Sequence, residues 1–422
     1  MSEIFQPNHD TAVTRVTPPQ DLSPEYIRRV LHDVREAFAG LLHSAGTDPL
    51  KIRATARQLE LSRGLIWRVS TLITSTDMSV VTQKIPTAES IEMLYRACRK
   101  CGASTESIEH TRAVMREFDD TVKRISGDRK SLAMILSSTV NENTTDQQEP
   151  ARKLAYEANS TIWGTQAQVQ LQSYFLAPSG NNGSGTFDCA TLSGMVGIRR
   201  LRSVSWPLHV TSMRNDEGEV VECVYEPIFK GNTASEGHPT IAEYSSSPLP
   251  EIRKIHLDIG TVYELVEGQI GNPGLSTIIF GTIIRGSQSQ YRSEHDEVLN
   301  FGTNMHTPVE RVVMDLFIHC DLEFLLPPYV MLIDRMVHPH SRRISIEAER
   351  KRMPISIDPR ELGLGPASCL TPQMPWYPKL LRDVYEHLGW PPNDFRGYRL
   401  EMTYPPNPTA LILGLKKPER PV

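Results

Sequence analysis

The sequence predicts an α+β protein: an all-helical N-terminal domain followed by a β-rich C-terminal domain, sandwich-like or itself α+β. Three observations predict it. Apolar residues recur at spacings of three and four as far as about residue 176. From Met195 onward they alternate with polar residues or gather in β-branched runs. Between these textures, the polar stretch 139–149 and the glycine-rich stretch 180–185 (GNNGSG) interrupt the pattern. The apolar period separates helix from strand because it matches the interval at which side chains return to one face.

Residues 1–22 are polar and proline-containing and read as a flexible arm. Ser23-Pro24-Glu25 then starts a helix, with Ser as the cap and Pro in the first turn. Tyr26, Ile27, Val30, Leu31, Val34, Phe38, Leu41 and Leu42 form a wide apolar stripe that needs a partner surface. Gly46 ends this helix, and Asp48-Pro49 begins the next.

Residues 52–71 (IRATARQLELSRGLIWRVST) read as two short helices joined by a tight turn. Ala56, Leu59 and Leu61 supply contacts around the turn, Ser62 caps the second helix, and Ile66 and Val69 recur on its inner face. Ser62, Arg63, Gly64, Trp67 and Arg68 are left facing outward. The stretch is also basic, with Lys51, Arg53, Arg57, Arg63 and Arg68 set against Glu60 alone. Residues 51–130 hold 15 Lys and Arg against 10 Asp and Glu, on a chain whose net charge is −5. A local positive face on an acidic chain suits contact with phosphates.

These residues resemble the helix-turn-helix of bacterial transcription regulators. The stretch departs from that family's pattern at Glu60, where Gly is favoured, and at Thr55, where an aliphatic residue is favoured. The resemblance implies a transcriptional regulator that binds double-stranded DNA. Ser62, Arg63, Gly64, Trp67 and Arg68 would then face a major groove, with Lys51, Arg53 and Arg57 on the phosphate backbone. The β-rich domain would bind a ligand, a partner or its own copy.

Residues 75–87 read as a short β wing or a plain loop, the wing placing Lys84 near a phosphate. Residues 88–101 read as a helix with Ile91, Leu94, Tyr95, Cys98 and Cys101 on one stripe. Both thiols thus read as core side chains; half a zinc site is disfavoured because no second cysteine pair follows. Ser104 or Thr105 caps the next helix, where Ile108, Thr111, Met115, Phe118, Val122 and Ile125 recur as a heptad seam. Residues 104–126 therefore suit either a homodimer contact or packing within the helical domain, which spans 23–138.

Residues 139–149 read as a linker and 150–176 as a connecting helix, with Leu154, Ala155, Ala158, Ile162, Val169 and Phe175 as its contacts. Gln166, Gln168, Gln170 and Gln172 form its polar side. The break at 180–185 places the main boundary nearby, and the β-rich domain spans 189–422. Within it, 206–212 and 219–225 flank Asn215-Asp216-Glu217-Gly218 as a hairpin, and 275–284 is a buried strand. Residues 398–403 and 410–415 read as a strand pair. Residues 376–388 form an amphipathic helix with Leu380, Leu381, Val384, Tyr385 and Leu388 inward.

The clearest strand is 311–324, with uniformly apolar even positions and a polar odd face. An alternative reading makes the chain a metal-dependent enzyme, with Asp315, His319 and Asp321 on that face as ligands and His295, Asp296, Glu297, His306, His338 and His340 nearby in sequence. A structural or assembly protein is the third. No HExxH, Gly-x-Ser-x-Gly or P-loop motif is present, so no catalytic residue, metal ligand or cofactor is assigned. The start MSEIFQPNHDTAV lacks the features of a signal peptide, and no apolar stretch approaches ~18 residues. Six scattered cysteines make no disulfide framework. The expectation is a cytoplasmic protein with no membrane partner.

Overall fold

In the computed structural model the described residues are 24–139, 145–180, 185–211, 213–214, 220–221, 223–229, 239–257, 260–293, 297–336, 351–353, 357–365, 369 and 371–420. They fall into unit 1, Met1–Asn141, and unit 2, Glu142–Val422. The expected arm at 1–22, the Ser23 cap, the turn at 215–218, and His295, Asp296, His338 and His340 lie outside the described residues.

Unit 1 is built from α1 (Pro24–Ser44), α2 (Ile52–Gln58), α3 (Arg63–Thr74), α4 (Met78–Lys84), α5 (Ala88–Lys100), α6 (Thr105–Ile125) and α7 (Arg129–Thr139). Local chemistry starts the middle helices. Ser62, Asp77, Thr87 and Ser104 each accept a first-turn backbone N–H, opening α3, α4, α5 and α6. The α1 stripe of Ile27, Val30, Leu31, Val34, Phe38, Leu41 and Leu42 is buried against Ile66, Val69, Leu72, Leu94, Met115 and Phe118.

Of the two readings of the α6 heptad seam, packing within the helical unit is the one found: Ile108, Thr111, Met115, Phe118 and Val122 are buried in the unit's own core, not free for a homodimer contact. Thr111 Oγ1 even donates to the carbonyl of Ala37 in α1, at 3.3 Å. The α1 stripe needed an apolar partner, and α6 supplies it, leaving exposed Glu106, Glu109, Arg116 and Glu117 on its outer side. Residues 75–87 form neither wing nor loop, because the Asp77 cap launches α4. Asp48-Pro49 makes a turn before α2, which starts at Ile52.

Unit 2 opens with α8 (Thr145–Trp163) and continues as β1 (Thr165–Pro178), β2 (Thr186–Arg200), β3 (Trp206–Thr211), β4 (Met213–Arg214), β5 (Val220–Val221), β6 (Glu226–Pro227), β7 (Ile252–Leu257) and β8 (Gly260–Leu265). It ends with β9 (Ser276–Ser289), β10 (Val298–Met305), β11 (Val309–His319), β12 (Tyr329–Asp334), β13 (Arg360–Leu364), α9 (Tyr377–Leu388), β14 (Phe395–Thr403) and β15 (Thr409–Lys416). Among the described residues, one sheet has the order β13-β14-β11-β1-β2-β9-β6. Its strands pair antiparallel except β1 with β11. One face, carrying Phe175, Val313 and Phe317, packs on Tyr377, Leu380, Leu381, Val384 and Tyr385 of α9. The other, carrying Leu176, Val312, Met314, Leu316 and Ile318, packs on the sheet β10-β15-β12.

The connecting helix therefore stops early. Gly164, at φ +74°, ends α8, and residues 165–178 are strand. Gln166, Gln168, Gln170 and Gln172 alternate with Ala167, Val169 and Leu171, which is the period of a sheet. The inward face of α8 carries Arg152, Tyr156 and Ser160, whereas the expected contacts Leu154, Ala155, Ala158 and Ile162 face solvent. β1 and β2 pair antiparallel on either side of the glycine-rich stretch, with Ser179 N donating to Thr186 O at 3.1 Å; residues 181–184 lie outside the described residues. The boundary accordingly falls at 141–142, and residues 145–149 of the expected linker are helical. Strands at 398–403 and 410–415 belong to different sheets rather than pairing, and β3 pairs with β8, leaving only β4 and β5 in the expected hairpin. No helix among the described residues is long and apolar enough to cross a membrane.

Candidate nucleic-acid interface

The connection between α2 and α3 is short because each of its residues has a fixed task. Leu59 N donates to Thr55 O at 2.9 Å and Leu61 N to Ala56 O at 3.0 Å, closing α2, while buried Ala56 and Leu59 anchor the corner. Glu60 sits at φ +56°, the left-handed region that favours glycine. Thr55 is also buried, and its Oγ1 donates to Asp48 O at 2.7 Å, so the hydroxyl is satisfied where an aliphatic side chain was expected. Ser62 Oγ then accepts from Leu65 N at 3.2 Å and sets the direction of α3.

Along α3, Ile66 and Val69 are fully buried, which turns Arg63, Gly64, Trp67 and Arg68 outward at spacings of one, three and four. Lys51, Arg53 and Arg57 are exposed on and before α2. Lys51, Ile52, Arg53, Ala54, Arg63, Gly64 and Trp67 line an open groove of about 710 Å³. Both helices contribute their first turns to this lining, so their partial positive ends reinforce the side-chain charge. Lys51 lies 3.7 Å from the carboxylate of Asp48, an exposed pair that neutralises little. Trp67 is half exposed, and Lys84 Nζ stands 4.7 Å from its ring centroid.

The structure thus brings Lys51, Arg53, Arg63, Gly64 and Trp67 to one groove. Arg57 and Arg68 are exposed outside its lining, and the Ser62 hydroxyl is committed to the cap. Ile52 and Ala54 add apolar lining, and Lys84 sits beside the groove on α4. The sequence signal for Lys84 was the Asp77 cap followed by Met78, Val81 and Ile85 at helical spacing.

The polar face of β11 is a different environment from the one expected. Strand β11 ends at His319, and Asp321 belongs to a 3-10 turn over Cys320–Leu325. Asp315 is wholly buried beneath α9, where Arg399 Nε and Nη2 both donate to its carboxylate at 2.7 Å. Tyr377 Oη donates to the same carboxylate at 2.7 Å and lies 2.8 Å from Ser173 Oγ. The register makes this possible, since Ser173, Asp315 and Arg399 stand abreast on β1, β11 and β14. Burial opposes charge on Arg399, but the hydrogen bonds and charge of Asp315 outweigh it and hold the guanidinium above its ordinary pKa. Burial first, then the charge of Asp315, keep the Tyr377 hydroxyl protonated far above the usual phenol range. Asp315 is therefore a saturated structural partner, and the ligand set Asp315, His319 and Asp321 is not assembled. The three comparisons with known proteins agree in outcome: no family model, curated protein or solved structure matches this chain.

Proposed function

We propose that unit 1 is a DNA-binding module of the helix-turn-helix kind, and that the chain is a cytoplasmic transcriptional regulator. In this reading α3 enters the major groove of a duplex. Arg63 and Arg68 contact bases or phosphates, Lys51, Arg53 and Arg57 hold the backbone, and Trp67 packs against the sugar-phosphate edge. One observation carries the reading: the outer face of α3 is exposed and cationic over a fully buried inner face, beside the basic start of α2. Gly64 adds to it, because a Cβ there would meet nothing within 4 Å, so a backbone can approach closely. The left-handed Glu60, where the resembled family favours Gly, also supports it. Unit 2 then serves as the ligand-, partner- or self-association part.

Fluorescence anisotropy of labelled duplex DNA with the full chain tests this reading. Binding is expected, weakened roughly 5- to 150-fold by Arg63→Ala or Arg68→Ala, the range for one specific arginine contact. Absence of binding at low salt, or variants that bind as well as the parent chain, would refute it.

A further inference from the structure

Where β11 runs into its 3-10 turn, three chemically different ligand atoms converge. We propose that His319, Cys320 and Asp321 form a site for one tetrahedral divalent cation of borderline character, such as Zn²⁺, with a fourth position open to solvent. The site belongs to unit 2 and stands independently of the nucleic-acid reading.

The geometry carries the proposal. Cys320 Sγ lies 3.7 Å from His319 Nδ1 and 3.9 Å from Asp321 Oδ1, and His319 Nδ1 lies 3.6 Å from Asp321 Oδ2. With metal–sulfur distances of ~2.3 Å and metal–nitrogen or –oxygen distances of ~2.0–2.1 Å, a tetrahedron has edges of roughly 3.3–3.6 Å. The observed triangle exceeds those edges by a few tenths of an ångström. Rotation of the Cys320 and Asp321 side chains, both exposed, closes that gap without moving the strand.

His319 is already prepared for the role. Its Nδ1 accepts a hydrogen bond from Asp321 N at 3.2 Å, which places the ring proton on Nε2 and leaves the unprotonated nitrogen on the side of the other two ligands. A bound ion would take over that lone pair from the backbone N–H. On the far side of the ring, Nε2 faces the Asp394 carboxylate at 3.9 Å, and Phe395 packs edge-on against the imidazole at 5.2 Å. The spacing to Asp394 is longer than a hydrogen bond; shortened by a rotation of the Asp394 side chain, it would become the carboxylate–histidine pair that orients metal-bound histidines. A turn cap alone requires neither the thiol nor Asp394. The donor set decides the metal class: thiolate with imidazole disfavours Mg²⁺ and Ca²⁺, which take all-oxygen shells.

Titration of the full-length, reduced protein with Co²⁺ reads the site directly, because a thiolate ligand gives a sulfur-to-cobalt charge-transfer band in the near ultraviolet. One equivalent of Co²⁺ should produce the band and Zn²⁺ should abolish it. Cys320→Ser should remove the band, and Cys223→Ser should leave it unchanged. Asp394→Asn should weaken affinity about 10-fold or more, the usual cost of losing the group that orients a ligating histidine. Circular dichroism confirms that each variant is folded. No band at stoichiometric Co²⁺, a band that survives Cys320→Ser, or one lost in Cys223→Ser would overturn the proposal.

Discussion

Arg399 and Asp315 show how far a single buried pair shapes this protein. Neither side chain has meaningful solvent contact, and Thr371 Oγ1 and Cys369 O take further donors of the guanidinium at 2.9 and 3.2 Å. Removing one partner strands a charge in the core. Arg399→Met should therefore cost about 3–5 kcal/mol in chemical denaturation, and the double variant with Asp315→Leu should cost much less. A single variant within 1 kcal/mol of the parent would contradict the account. His209 offers a second test at this scale. It packs against Phe280 and Tyr263, which also touch each other, with ring centroids 5.2 and 6.0 Å away and Nδ1 2.9 Å from Ser193 Oγ. Burial lowers its pKa to about 4, against an ordinary 6.5. Between those values the unfolded chain binds the extra proton, so stability falls as pH drops, by up to about 1.4 kcal/mol per pH unit. The denaturation midpoint should decline from pH 7 to pH 5, and His209→Gln should flatten that decline; an unchanged slope would refute this role.

The elements were legible wherever side chains alone specify them. The α1 stripe and the Ser62 cap could be read directly, and the α6 cap was narrowed to Ser104 or Thr105, because capping and 3.6-residue periodicity are local chemistry. Residues 165–172 were misread as the continuation of a helix: Gln and apolar residues alternate there, but the helix before them masked the change of period at Gly164. Strand β11 misled for a different reason. Asp315 and Phe317 share its odd face, and only the tertiary fold reveals that α9 covers both. At the candidate interface the cations of α2 and α3 were visible in sequence, whereas Ile52 and Ala54 join the groove, and Lys84 comes to stand over Trp67 beside it, only through folding. The turn itself is testable. Glu60 pays a steric penalty at φ +56°, so Glu60→Gly should stabilise the chain by about 1 kcal/mol and Glu60→Val should destabilise it. Thermal denaturation of the two variants checks this, and the opposite order would mean the turn is not as described.

At the scale of the whole molecule, the two units have separate cores: one holds the α1 and α6 stripes, the others the layers about the long sheet. Arg399 and Asp315 belong to the core of unit 2, so the stability cost of Arg399→Met falls on that unit. The charge distribution gives the account its functional claim, because an acidic chain concentrates five exposed cations around α2 and α3. The most direct measurement is the salt dependence of duplex binding by the full chain. If those cations each meet a phosphate, the logarithmic slope should lie near −4 to −5 and flatten by about one for each of Arg63→Ala and Arg68→Ala. A slope near zero, or one that neither substitution changes, would contradict the claim that this face meets nucleic acid.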